Sequence, residues 1–123
     1  MKYLASFALL AAFTLGGHDA KAGQRLSIRV SPAVALAPAF LRVTTTVEPS
    51  DENRLLHIEI DSPEYTRISE FTLDGKNAQR VNLLEVKGVP SGVYDVRATL
   101  IGLQGTIAQA TQLVKIEAAA GAR

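Results

Sequence analysis

The residue best suited to chemistry in this sequence is His57, because an imidazole can bind a metal or transfer a proton near neutral pH. The sequence contains one other histidine, in its N-terminal segment, and no cysteine. A metal site takes three or four protein ligands, and strand alternation places His57 on an outer face beside Glu59. We therefore predict no metal centre and no cofactor, with His57 as a solvated strand residue.

Hydroxyl and carboxylate side chains offer no better catalytic arrangement. Nucleophilic catalysis needs a serine or threonine beside a base, and the sequence has no Gly-x-Ser-x-Gly turn. Asp51-Glu52 and the pair Asp61 and Glu64 flank one predicted strand, which separates them by roughly 20 Å and so prevents a glycosidase pair. We predict no catalytic residue, and a calcium site at one end of the domain is the single cation site left open.

Aromatic residues that could stack on sugar rings are few. There is no tryptophan, and the alternating pattern assigns Phe71 and Tyr94 to the core. Phe40 and Tyr65 remain as a small stacking platform. Carbohydrate binding is therefore kept as an alternative function.

Charge gives no reason to expect a nucleic acid or an anionic membrane as a partner. The whole chain has a formal net charge of +1, and residues 1–22 carry two lysines and one aspartate. The remainder is therefore neutral, with basic and acidic residues interspersed. Without cysteine, the stability of the domain must come from its apolar core and strand ladders.

The N-terminal segment has the order of a secretory signal peptide. Lys2 precedes an uncharged apolar run over residues 3–17, and Ala20 and Ala22 have the spacing of a cleavage site before Gly23. The run is shorter than the ~20 residues that span a bilayer as a helix. We predict cleavage after residue 22, a periplasmic or secreted location, and no membrane insertion afterwards.

The rest of the chain predicts a single all-β domain. Residues 23–117 contain β-branched residues, alternation and regularly spaced turn residues, and residues 118–123 are predicted to be a flexible tail. Asp74 and Gly75 are predicted to form a hairpin turn. This pattern indicates a seven-stranded β-sandwich. The predicted strands cover residues 26–30, 40–47, 54–61, 65–73, 80–86, 93–100 and 106–117.

A small-residue stretch between Pro32 and Pro38 interrupts this pattern. Proline cannot donate to a strand ladder, so the stretch is predicted to be an edge segment or a crossing between sheets. Its apolar residues, together with an outer face of the third predicted strand, form a possible interaction surface. The residues assigned to this surface are Ala33, Val34, Leu36, Phe40, Leu55 and His57.

The segment from Val89 to Ala98 resembles a recurring piece of bacterial immunoglobulin-like and fibronectin-III-like domains. That piece has the form hydrophobic-Pro-x-Gly-x-Tyr-x-Val. The resemblance implies an immunoglobulin-like β-sandwich in which Pro90 and Gly92 form a corner between the sheets. It also implies that the Tyr94 ring is buried while its hydroxyl reaches back to the corner backbone. The wider chain resembles short exported bacterial proteins without an assigned activity.

These observations lead to one functional prediction. The chain is expected to be an exported, non-enzymatic immunoglobulin-like module that acts through contact with an envelope or extracellular protein. The alternative is a module that binds carbohydrate or another envelope polymer. The oligomeric state is left open.

Overall fold

A computed structural model describes residues 25–119, which form two β-sheets and contain no α-helix. The predicted signal peptide and residues 120–123 lie outside the described residues. None of the described segments forms a helix long and apolar enough to cross a bilayer. The strands are β1 (Leu26–Ser31), β2 (Val34–Leu36), β3 (Ala39–Val47), β4 (Asn53–Ser62), β5 (Tyr65–Thr72), β6 (Val81–Val89), β7 (Gly92–Gly102) and β8 (Gly105–Glu117).

The all-β prediction is confirmed, but the number of strands is corrected from seven to eight because the proline-bracketed stretch forms β2. This strand pairs in parallel with the end of β8 and lies at a sheet edge, as predicted. Two backbone hydrogen bonds, from Lys115 to Ala33 and from Ala37 to Glu117, fix its ends. Three residues are too few for alternation to reveal a strand.

The strands divide into a three-stranded sheet with the order β1-β3-β6 and a five-stranded sheet with the order β2-β8-β7-β4-β5. All neighbours pair in antiparallel fashion except β2 and β8. The chain changes sheet between β1 and β2, between β2 and β3, between β3 and β4, between β5 and β6, and between β6 and β7. Consecutive strands therefore lie mostly in opposite layers.

The hairpin predicted at Asp74 and Gly75 is wrong. Gly75 begins a short 3₁₀ turn, Gly75–Asn77, and the strands on either side of it belong to different sheets. The turn carries the chain from β5 in the larger sheet to β6 in the smaller one. Leu73, just before it, is buried and anchors the crossing in the core.

One apolar core fills the space between the sheets, because inward-facing positions of both layers carry aliphatic residues. In β3 and β7 the buried positions alternate with exposed or half-buried ones over most of the strand. Thr45 and Asn82 are the buried polar residues of the small sheet, and the Thr45 hydroxyl donates to the backbone oxygen of Asn82. The fully buried aliphatic residues are Leu41, Val43, Leu56, Ile58, Ile60, Val89, Val96, Ala98, Leu100 and Val114.

Candidate functional site

The outer face of the five-stranded sheet carries a row of polar side chains that crosses four strands. Strand register places Gln109, Thr99, His57 and Glu70 side by side on β8, β7, β4 and β5. Nδ1 of His57 lies 3.0 Å from Oε2 of Glu70, and Nε2 of Gln109 donates to the Thr99 hydroxyl over 3.4 Å. His57 is therefore held by a neighbouring strand rather than freely solvated.

Two further polar pairs continue this face along the strands. Arg97 on β7 lies 3.4 Å from Glu59 on β4, and the Thr66 hydroxyl on β5 donates to Asp61 on β4 over 2.7 Å. Exposed pairs of this kind contribute little to stability, typically below about 1 kcal/mol each. They do fix which residues of neighbouring strands face each other, since cross-strand pairs stabilise one register.

This polar face does not assemble a metal site. Across residues 25–119, no group of three or more His, Cys, Asp or Glu side chains could hold a metal ion. The sequence contains no cysteine at all. Its histidine on this face, His57, is paired with Glu70.

The residues predicted to form one interaction surface lie in three separate places. Leu55 and His57 are on β4, inside the larger sheet, whereas Val34 and Leu36 are on β2, with β8 and β7 between. Phe40 belongs to β3 in the other sheet, and Ala33 precedes β2. The predicted surface is therefore not continuous.

The corner residues lie where the chain enters β7. The Tyr94 side chain is fully buried, and its hydroxyl donates to the carbonyl oxygen of Pro90 over 2.8 Å. The ring packs edge-to-face on Tyr65, with 5.9 Å between centroids. Gly92 lies against this ring, since a Cβ added there would come within 3.3 Å of it.

Replacement of Tyr94 by phenylalanine is expected to lower the free energy of unfolding by about 1–2 kcal/mol, because it removes the bond to Pro90. Burial raises the pKa of Tyr94, and a hydrogen bond with Ser62 opposes that increase. The stability that this raised pKa contributes is complete below the unfolded value of about 10 and is lost as pH rises through the folded value.

Urea unfolding of the unmodified protein and of Tyr94→Phe, at neutral pH and above pH 10, measures the loss of the hydrogen bond and the pH dependence of stability. The control is Tyr65→Phe, which changes a half-buried ring in the same aromatic pair. Equal stability of Tyr94→Phe and the unmodified protein at neutral pH would contradict the role given to the hydroxyl.

Features of the fold limit strand pairing along part of three of the four sheet edges. Along β1, the side-chain amide of Gln112 accepts a hydrogen bond from the Val30 N–H (2.9 Å) and donates one to the Val30 carbonyl (3.2 Å). At the next edge, the three-residue strand β2 covers residues 115–117 of β8, and no described strand lies beside residues 105–114 on that side. Strand β6 has a register shift opposite Ala39 and Leu41, near Gly88, whose φ of +68° is a conformation that favours glycine. Short edges and bulges of this kind hinder pairing with another strand.

The β5 edge differs from these three. Its eight residues pair with β4 without a register shift. The Leu73 N–H donates to the carbonyl oxygen of Arg54, the residue directly opposite on β4. In an antiparallel strand, the backbone N–H and C=O groups of successive residues point to alternate sides. The backbone N–H and C=O groups of Thr66, Ile68 and Glu70 therefore point away from the sheet, and the Ile68 side chain is 55% exposed.

Comparison with known proteins finds similarity in structure alone. No protein-family model and no curated protein matches the sequence. A superoxide reductase (neelaredoxin) from Ignicoccus hospitalis superposes with a TM-score of 0.57 at 17% identity, covering 76% of this chain and 81% of that one. A variant of that reductase gives 0.57 at 17% identity, covering 83% and 87%. A CARDB domain from Pyrococcus furiosus, in complex with di-metal ions, gives 0.48 at 15% identity, covering 76% and 92%.

At 17% identity, the similarity to the reductase shows a shared fold and nothing more. It nevertheless corrects the predicted function. The sequence predicted a non-enzymatic module that contacts an envelope protein, or alternatively binds a polymer, because its residues offered no catalytic arrangement. That prediction is wrong, because enzymes are among the solved structures with this fold.

Proposed function

We propose that this chain is an exported protein with an immunoglobulin-like fold, which assembles with copies of itself through the open edge of β5. The observation that carries this proposal is the unblocked eight-residue edge, with its backbone groups turned outward. Natural sheet proteins generally protect such edges, because an open one pairs readily with another strand. Among the four edge strands, β5 is the longest that pairs with its neighbour without a register shift.

Strand order and the Tyr94 corner support an immunoglobulin-like fold. In such domains the first, second and fifth main strands share one sheet, and the third, sixth and seventh share the other. With β2 as a short continuation of the first strand, the orders β1-β3-β6 and β8-β7-β4-β5 follow this arrangement. The bond from Tyr94 to Pro90 has the form of a tyrosine corner near the start of the sixth strand.

Export is supported by the sequence of residues 1–22, which has the three parts of a signal peptide. Cleavage between Ala22 and Gly23 would release a chain that begins just before β1. The expected location is the periplasm or the exterior. Assembly there would need no disulfide, since the chain has no cysteine.

Superoxide reduction is not proposed for this chain. Electron transfer to superoxide needs a redox-active metal or organic cofactor, and the donor residues present do not fit a metal centre. The sequence lacks cysteine, and the part of the chain that the structure describes brings no three His, Cys, Asp or Glu side chains together. Thr99 and Gln109, beside His57, are neutral groups that would be weak ligands.

Self-assembly is tested by sedimentation velocity of the chain from Gly23 onward over a series of concentrations. We expect the sedimentation coefficient to rise with concentration. The variant Ile68→Lys should remain monomeric, because a lysine in the middle of an edge strand hinders pairing with another strand. The matched control is Val81→Lys on β6, where a valine of similar exposure (54%) lies near another edge.

The control variant should associate like the unmodified protein. A monomer at all concentrations up to about 1 mM, where a binding free energy of only about 4 kcal/mol would be visible, would refute self-assembly. Equal loss of association in the two variants would show that the β5 edge is not the contact.

A further inference from the structure

We infer that the assembly is a closed dimer in which β5 pairs with β5 of a second copy, antiparallel and centred on Ile68. This inference rests on the proposed self-assembly and specifies its partner, symmetry and register. It follows from the outward backbone groups of β5, the side chains along that strand and the two-fold symmetry of such a contact.

The backbone groups of β5 suit a two-fold axis at Ile68. Because Thr66, Ile68 and Glu70 turn their N–H and C=O groups outward, they are the residues that can bond to a facing strand. A two-fold axis at Ile68 places Ile68 opposite Ile68 of the second copy, and Thr66 opposite Glu70 in both directions. Each facing pair exchanges two bonds, so about six backbone hydrogen bonds would join the copies.

The side chains favour the same register. Ile68 is a large apolar side chain, 55% exposed, between the polar residues Thr66 and Glu70 on the same face of β5, and self-pairing would cover it. On the inner side, Tyr65 would face Phe71 and Arg67 would face Ser69. No like charges would stand directly opposite each other, and aromatic pairs of this kind stabilise neighbouring strands.

Neighbouring registers suit the side chains less well. A two-fold axis at Arg67 would oppose Arg67 to itself and Glu64 to Glu70. An axis at Ser69 would place the apolar Ile68 side chain against the charged Glu70 of the second copy. Like charges directly opposite are destabilising and an apolar residue gains nothing from facing a charge, so the side-chain pattern favours the axis at Ile68.

The assembly should end at two copies. A two-fold contact uses the same edge of both chains, and symmetric dimers of this kind are closed. The other edges are β1, whose Val30 bonds to Gln112, the edge formed by β2 and the rest of β8, and β6 with its register shift. The two five-stranded sheets would form one continuous sheet, with both polar faces on the same side.

Disulfide trapping tests the register, and the chain suits it because it has no cysteine of its own. In the inferred dimer the two Cα atoms of residue 68 would be about 5.5 Å apart, within the range that a disulfide spans. We expect Ile68→Cys to form a covalent dimer on mild oxidation about tenfold faster than Thr66→Cys or Glu70→Cys, because pairing raises the local thiol concentration. These two controls lie on the same edge but do not face their own copies.

The double variant Thr66→Cys/Glu70→Cys provides a second check, since its cysteines would face each other twice across the axis. Sedimentation of each variant under reducing conditions runs in parallel. If sedimentation shows dimers but disulfides form quickly only in the residue 66 or 70 single variants, or in no variant, the inferred register is wrong. Self-assembly itself would then still be supported. Monomers by sedimentation would overturn both.

Discussion

Replacement of Leu56 by alanine is expected to lower the free energy of unfolding by about 2–5 kcal/mol. Leu56 is fully buried on β4, a central strand of the larger sheet, and its side chain faces the core between the sheets. Truncation removes apolar contacts and leaves a cavity that strands held on both sides can only partly close. A domain of this size has a total stability of about 5–15 kcal/mol, so the loss would be a large fraction of it.

The matched control is Leu103→Ala, which removes the same atoms from a side chain that is 69% exposed between β7 and β8. A change within about 0.5 kcal/mol is expected there. Urea unfolding followed by far-ultraviolet circular dichroism measures both variants. Similar losses for the two leucines would contradict the packing of the sheets described above.

The second large effect is expected for Gly102→Ala, at about 1–3 kcal/mol or more. Gly102 ends β7 next to the β3–β4 connection, and an added Cβ would lie 2.8 Å from the Glu52 carbonyl oxygen and 2.6 Å from Cδ1 of Ile107. A side-chain methyl can rotate away, but the Glu52 carbonyl is backbone. The connection between the sheets must therefore shift to admit a methyl group.

A double-variant cycle with Ile107→Ala separates the two contacts. If the side-chain clash dominated, Ile107→Ala would relieve nearly all of the added cost of Gly102→Ala. We expect only partial relief, because the contact with the Glu52 oxygen remains. If Ile107→Ala removed the whole added cost of Gly102→Ala, the nearby Glu52 carbonyl would not restrict which residue fits at position 102.

Local physical patterns predicted most of the strands but not their partners. Alternation in β3, β4 and β7 is strong because one side of each strand faces a core and the other faces solvent. The short β2 gave no such signal, and its three residues become a strand only because β8 lies alongside. At Asp74-Gly75 the residue types indicated a turn correctly but not the change of sheet, which depends on where β5 and β6 lie.

The candidate site was less predictable for the same reason. Alternation placed His57 on an outer face, but its pairing with Glu70 depends on the register between β4 and β5. The open edge likewise depends on the order of the strands in the sheet, because no residue of β5 indicates that this strand has a neighbour on one side only. Among the β5 residues, Ile68 came closest to indicating a contact surface, because it is an apolar residue at a position that alternation assigns to solvent.

The side chain of Gln112 imitates a peptide group, because it presents one acceptor and one donor to Val30 as a neighbouring strand would. One side chain at Val30 therefore takes the place of a strand on this edge, and it comes from β8 in the opposite sheet. The two hydrogen bonds join the sheets at their margin, in addition to the apolar contacts of the core between them.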